Sequence, residues 1–323
     1  MNVDLRLGTS EFCYVYSKYK IAKFNSKDYI LPEENATKKK ISLTEYINEI
    51  LVDTLNIGKK VFYEETIEQT ELLDYYERYG SFGFIIDLAI NKYFILEDKV
   101  AIRDAFYINN KENIDFINID EYLKYFFPTL NKRDLNILIK KCRNTATDIR
   151  KEDYLTSMIN EYLIYSEHYA EPTDLVLNYV RALYKNLIST IEHKPLTMKL
   201  PFLDVNHLEY NIDDLYYNNS FGFKINYLKQ AIDVYYRMQM GQDVRLLKVC
   251  NYCKKAFIAK NPKAEYDTYN CKNKANVYKS RAKSSNVVHT ETGLAVKIPS
   301  KELFDENDKK LKNKKNLNRK WGI

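Results

Sequence analysis

Hydrophobic side chains recur along this chain at intervals of three and four residues, the spacing of helices that bury one face. Leu43, Ile47, Leu51 and Leu55 form the first such stripe, behind Ser42-Leu43-Thr44-Glu45, which has the form of a capping box. A second helix is predicted from about 68 to 79, where Gly80-Ser81-Phe82-Gly83-Phe84 ends it. Asn118 and Glu121 repeat the capping pattern ahead of Tyr122, Tyr125 and Phe126, and Pro128 stops that turn. Leu135, Leu138 and Ile139 mark another helix, and Tyr154, Leu155, Met158, Ile159, Tyr162 and Leu163 one more. The longest stripe, Leu175, Val176, Tyr179, Val180, Leu183, Tyr184, Leu187, Ile188 and Ile191, starts after Glu171-Pro172-Thr173. Ile225, Leu228, Ile232, Tyr235 and Tyr236 make the last of the series. The start of the chain differs: Phe12–Tyr16 and Tyr19–Phe24 are dense in strand formers on either side of a short polar break. The apolar run 85–95 has no period that separates strand from helix. Ser81-Phe82-Gly83-Phe84 recurs as Ser220-Phe221-Gly222-Phe223, but the flanks do not match, so the two read as a coincidence or as similar turns.

These patterns predict an α+β fold, a mostly helical body with a small β-hairpin/helix module of zinc-finger type at the C-terminus. Gly241 and the polar Gln242-Asp243 follow the last body helix, so divisions are expected at residues 1–243, 244–284 and 285–323, the last a basic, mobile tail. With 45% hydrophobic and 29% charged residues, the composition is that of a soluble globular protein. The 29 tyrosines are unusual, but an amphipathic ring suits half-buried helix faces, and as a class they carry no functional meaning. No stretch reaches the roughly 18 consecutive apolar residues of a membrane helix, and the start has no secretory pattern, so a cytoplasmic protein with no membrane partner is expected. The net charge of +6 divides unevenly, with +13 in residues 245–323 and −7 in the rest. A basic C-terminal segment points to a polyanion, and the acidic body to a possible protein partner.

Cys13 and Cys142 stand alone and read as small buried apolar residues. The other three cysteines cluster: Cys250-Asn251-Tyr252-Cys253, thirteen residues, Asp267, three more, then Cys271. In a reducing compartment, clustered cysteines are metal ligands rather than disulfides. A C-x-x-C turn sets two thiolates on one side of the backbone, half of a tetrahedral zinc site. Residues 246–249 and 254–258 are predicted as the strands of a hairpin carrying that turn. A helix from 270 to about 283 holds Cys271 in its first turn. Asp267 is expected to complete the site with an oxygen, since a carboxylate is an accepted zinc ligand. His289, eighteen residues beyond Cys271, is the alternative, and a decayed site without metal is a third.

The stretch from Leu247 to Lys283 carries a resemblance. Its residues are the C-x-x-C, Phe257, Asn261-Pro262-Lys263-Ala264-Glu265-Tyr266, Cys271-Lys272-Asn273 and Asn276-Val277-Tyr278-Lys279-Ser280-Arg281. It resembles the C-terminal finger of an uncharacterised family of bacterial proteins, similar in turn to the CGNR-type zinc fingers ascribed to transcriptional regulators. Weaker matches lie upstream, at Phe82-Gly83-Phe84, Tyr122 to Pro128 and Tyr169-Ala170-Glu171-Pro172. The resemblance implies a helical body and a finger that binds DNA. The family's pattern has cysteine where this chain has Asp267, a departure at the metal site itself.

Lys272, Lys274, Asn276, Lys279, Arg281 and Lys283 lie along the predicted helix, and Lys254, Lys255, Lys260 and Lys263 on the hairpin side, with no acidic residue from 271 to 290. Asn273 and Asn276 have the amides to contact adenine from a major groove. The expected function is therefore DNA or RNA binding, in transcription regulation or in a mobile-element or phage-defence setting. The alternative is a protein-interaction module, an inhibitor or adaptor in which the finger is only structural. No G-x-x-x-x-G-K-[ST], G-x-G-x-x-G or H-E-x-x-H sequence is present, the four histidines are scattered, and no catalysis is expected.

Overall fold

The structure, a computed structural model, describes residues 12–85, 99–103, 114–147, 166–194, 208–210, 221–223, 227–241, 245–284, 287–289 and 295–297. The chain forms two compact units, residues 1–247 and 248–323. Four strands open the first: β1 (Phe12–Tyr16), β2 (Tyr19–Phe24), β3 (Lys27–Pro32) and β4 (Lys38–Ser42). The turn between β2 and β3, Asn25-Ser26, has φ of 47° and 66°, the left-handed geometry that matches the twist of a two-residue hairpin. β1 pairs antiparallel with β4, so the two strand-like segments read in the sequence do not pair with each other. Then come α1 (Leu43–Phe62), α2 (Gln69–Tyr79), the hairpin of β5 (Lys99–Arg103) and β6 (Ile114–Asn118), α3 (Ile119–Phe126) and α4 (Lys132–Thr147). They are followed by β7 (Glu171–Pro172), α5 (Thr173–Ile191), the pair β8 (Leu208–Tyr210) and β9 (Phe221–Phe223), and α6 (Leu228–Met240). β7 joins β3 as a third antiparallel strand. The fold is thus α+β, built of helices and small antiparallel sheets.

Local signals act where the sequence places them, with exceptions. Ser42 caps α1, its hydroxyl accepting the Glu45 N–H at 3.4 Å, and the stripe Leu43, Ile47, Leu51 and Leu55 is buried. Asn118 precedes α3 but its side chain makes no capping bond; the residue closes strand β6, paired with Lys99. The Phe-Gly-Phe recurrence is not a pair of similar turns: residues 221–223 are strand β9, whereas Phe82 and Gly83 lie in a loop after α2. Within residues 285–323, β12 (Val287–His289) pairs antiparallel with β13 (Ala295–Lys297), and the other residues of that segment lie outside those described. The stripe 154–163, Ile225 and most of the run 85–95 lie outside the described residues.

α1 and α5 meet at Gly58, where a Cβ would stand 2.0 Å from the Val180 carbonyl oxygen. Glycine allows the two backbones this approach. Gly58→Ala improves helix propensity by up to about 1 kcal/mol. The helices must nevertheless move apart, and overpacking of this kind costs about 1–3 kcal/mol. Net destabilisation is the expected result, read as a lower midpoint in urea.

The tyrosines depart from the expectation of half-buried faces. Tyr75, Tyr76, Tyr122, Tyr169, Tyr179, Tyr184 and Tyr236 are among the most deeply buried side chains of the body. Burial of a phenol is tolerated when its hydroxyl finds a partner. Tyr75 meets Thr54 at 2.6 Å, Tyr179 donates to Asp233 at 2.9 Å, Tyr236 donates to Asn186 at 2.7 Å, and Tyr122 donates to the Ile85 carbonyl.

Tyr76 and Tyr169 converge on Glu171, which is fully buried. Its Oε2 accepts Tyr76 Oη (2.6 Å) and the Phe82 amide (2.9 Å); its Oε1 accepts Tyr169 Oη (2.8 Å) and the amides of Gly83 (2.7 Å) and Phe84 (3.3 Å). Gly83 has φ 84°, and a Cβ there would lie 2.6 Å from Tyr227 Cβ, so the loop that wraps the carboxylate requires glycine. The Ala170 amide donates to the Phe126 carbonyl at 2.8 Å, and the Phe126 and Tyr169 rings stack. Two of the body segments named for the family resemblance, Phe82–Phe84 and Tyr169–Pro172, thus meet at this carboxylate, and the third, Tyr122–Pro128, packs on Tyr169 and Ala170. Alongside, the Lys229 amide donates to the Phe82 carbonyl, and its ammonium pairs with Asp233 at 2.6 Å, both side chains buried.

Candidate metal centre

β10 (Leu247–Val249) and β11 (Ala256–Ile258) form a two-stranded sheet, and α7 (Tyr269–Ser284) follows. Between the strands, the Cys250 amide donates to the Lys255 carbonyl at 2.8 Å and the Lys254 amide to the Cys250 carbonyl at 3.0 Å. Lys254 takes a left-handed φ of 62° to close this knuckle. The chain returns through Asn261-Pro262-Lys263-Ala264, a turn fastened by the Ala264 amide on the Asn261 carbonyl and by the Asn261 side chain on the Lys263 amide. Lys248 Nζ donates to the Pro262 carbonyl, and the Asn251 amide to the Glu265 carbonyl at 3.0 Å, which brings Asp267 back to the knuckle. Thr268 then caps α7, its hydroxyl accepting the Cys271 amide at 3.2 Å. The helix begins one residue earlier than predicted, and Cys271 sits in its first turn, at the positive end of the helix dipole.

These elements bring Cys250, Cys253, Asp267 and Cys271 together, with one ligand atom from each within 4.8 Å of the others. A tetrahedral ion with sulfur at about 2.3 Å needs ligand separations of about 3.8 Å, so the group closes on one ion by small side-chain movements. Cys253 Sγ already lies 3.3 Å from Asp267 Oδ2. Burial pushes the Cys253 thiol up to about 12, and its hydrogen bond to Asp267 adds to the rise. Burial also works to raise Asp267, but thiol donors from Cys271, Cys250 and Cys253 hold its carboxyl below the usual range. The Cys271 thiol is raised chiefly by its hydrogen bond with Asp267. A bound cation takes thiolates, so loading this site releases thiol protons.

Among the described residues from 248 to 284, the buried side chains are Cys250, Ala256 and Ala259, and Leu247 at the head of β10 is buried as well. One leucine and three small side chains make at most a minimal core, and a module of this size needs a staple. The ligand cluster is the only one of its kind found among the described residues. His289 lies in β12 and its side chain is outside those described; Cys250, Cys253, Asp267 and Cys271 come together without it. Cys13 is half-buried and donates to the Tyr79 carbonyl at 3.3 Å, while the Cys142 side chain lies outside the description.

The cations of the sequence reading take two places. Lys254 and Lys255 are exposed beside the knuckle, and Lys260 and Lys263 are exposed in the returning loop. Lys272, Lys274, Asn276 and Lys279 are exposed on α7, with Asn273; Arg281 and Lys283 lie in its last turn, their side chains outside the description. The sequence reading missed the tyrosines of this region: Tyr269 is 76% and Tyr278 52% exposed, and the Tyr278 ring lies 6.0 Å from that of Tyr252. Their presence among lysines was the available signal. No described helix is long and apolar enough to cross a membrane. Compared with family models, curated proteins and solved structures, the chain matches none.

Proposed function

We propose that residues 248–284 are a zinc finger that binds nucleic acid through the cationic surface of the knuckle and α7, in a cytoplasmic regulatory protein. One observation carries the reading: the ligand cluster gathers at the first turn of a helix that has no acidic residue and whose Lys272, Lys274 and Lys279 stand exposed. Three sulfurs and one oxygen favour zinc over the hard cations, which take oxygen-only sites. As a resident ion, zinc would be held by Cys250, Cys253, Asp267 and Cys271 and would supply folding energy rather than chemistry. The helix buries little of its surface among the described residues, and a clamp at its first turn is a support that does not need a core.

The test is a salt titration of binding. Each lysine that meets a phosphate contributes about 0.7–0.9 to the slope of log affinity against log salt. A combined Lys272→Ala, Lys274→Ala, Lys279→Ala variant should lower that slope by up to about 3. An unchanged slope means that α7 does not face phosphate. No binding to DNA or RNA even at low salt sinks the proposal and leaves the finger a structural part of a protein-docking module.

A further inference from the structure

α7 exposes more apolar and aromatic surface than a solvated helix needs. Its Tyr269, Val277 and Tyr278 are 76%, 47% and 52% exposed. Tyr278 does not enter a core; its ring lies beside that of Tyr252 at 6.0 Å and 30° between planes, and Tyr252, within the knuckle, is itself only half-buried. Cations surround this pair in the chain. Lys254 and Lys255 follow the knuckle, Lys274 lies one turn before Tyr278, and Lys279 follows it with Nζ 3.4 Å from Tyr266 Oη. The acidic residues of the finger are Glu265, exposed in the returning loop, and the ligand Asp267.

Two open rings among lysines fit one kind of polyanion better than another. A B-form duplex keeps the faces of its bases stacked on one another and presents only base edges in its grooves. An unpaired strand offers a π-face at every nucleotide, and stacking on a protein ring is worth roughly 5- to 150-fold in affinity per base, with little dependence on base identity. The helical repeat also places Asn273 and Asn276, the amides suited to a groove, on the side of α7 away from Tyr278. A helix that used those amides would turn the ring pair away from the nucleic acid. We infer that the finger takes single-stranded nucleic acid, seating a base on the Tyr252–Tyr278 pair with the neighbouring lysines on the phosphates. This rests on the nucleic-acid reading above and names its substrate class.

Fluorescence anisotropy on the zinc-loaded full chain tests it, with labelled single strands of about 16 nucleotides, DNA and RNA, and the matching duplexes at one salt concentration. Single strands should bind about 10-fold or more tightly than duplex. Tyr278→Leu should cost single-strand affinity about 10-fold with zinc content and duplex affinity unchanged, and Tyr278→Phe should retain it. Duplex binding equal to or tighter than single-strand binding overturns the inference while the nucleic-acid reading stands; this comparison needs no variant to fold. A zinc-replete Tyr278→Leu protein with full single-strand affinity overturns it as well. Failure of every probe to bind at low salt removes the nucleic-acid reading, and the inference falls with it.

Discussion

Cys253→Ser should abolish stoichiometric metal binding and unfold residues 248–284, leaving the body's own unfolding transition in place. The expected effect is large because metal supplies about 10–16 kcal/mol to the folding of zinc-finger modules, while the buried side chains here are Cys250, Ala256 and Ala259. A hydroxyl neither ionises near neutral pH nor matches the softness of a thiolate, so a site with two sulfurs and one carboxylate binds far more weakly. Metal analysis by mass spectrometry and amide exchange over residues 248–284 check the two halves of this outcome. One ion per chain in the variant would show that Cys253 is not a ligand. Asp267→Cys offers the converse: it supplies a fourth thiolate at a position that faces Cys253 at 3.3 Å, and it should hold the ion at least as tightly as the parent. Loading displaces thiol protons, so apparent affinity in both proteins rises with pH.

The second large effect belongs to the body. Glu171→Ala leaves the Tyr76 and Tyr169 hydroxyls and the amides of Phe82, Gly83 and Phe84 without their acceptor inside the protein. Each stranded buried donor costs about 1–3 kcal/mol, and partial relaxation brings the total to about 5 kcal/mol, as much as the whole stability of many domains. Glu171→Gln keeps the shape but turns one oxygen into a donor that faces other donors, so a loss of about 2–4 kcal/mol is expected in urea melts. Unchanged stability of the Gln variant would show that the carboxylate is not what organises the loop. Burial pushes the Glu171 carboxyl up, and the hydrogen bonds from Tyr76, Phe82, Tyr169 and Gly83 pull it back down.

The contrast between these two sites also separates what could be read from the chain and what could not. Helix α1, with Ser42 as its cap and Leu43, Ile47, Leu51 and Leu55 as its buried stripe, was legible because a cap and a periodic face are set by residues within a few positions of one another. The cluster of the finger was legible for a related reason. A C-x-x-C knuckle is local, and Asp267 and Cys271 lie on either side of one helix start, so spacing marked these residues, with His289 the alternative to Asp267, and the fold brings the four together. Glu171 is the opposite case. In the sequence it reads as a residue before a helix, beside Pro172; only folding brings it to Tyr76, Phe82, Gly83 and Phe84, 87 to 95 positions away. The same holds for β1, which bypasses its neighbour to pair with β4, and for Asn118, whose capping pattern yields to its place in a strand. Local propensity and ligand spacing are properties of short segments, and the sequence by itself determined those. Which buried hydroxyl meets which acceptor depends on distant segments arriving together in low-dielectric surroundings, where every polar group must be partnered, and that was decided by the tertiary structure alone.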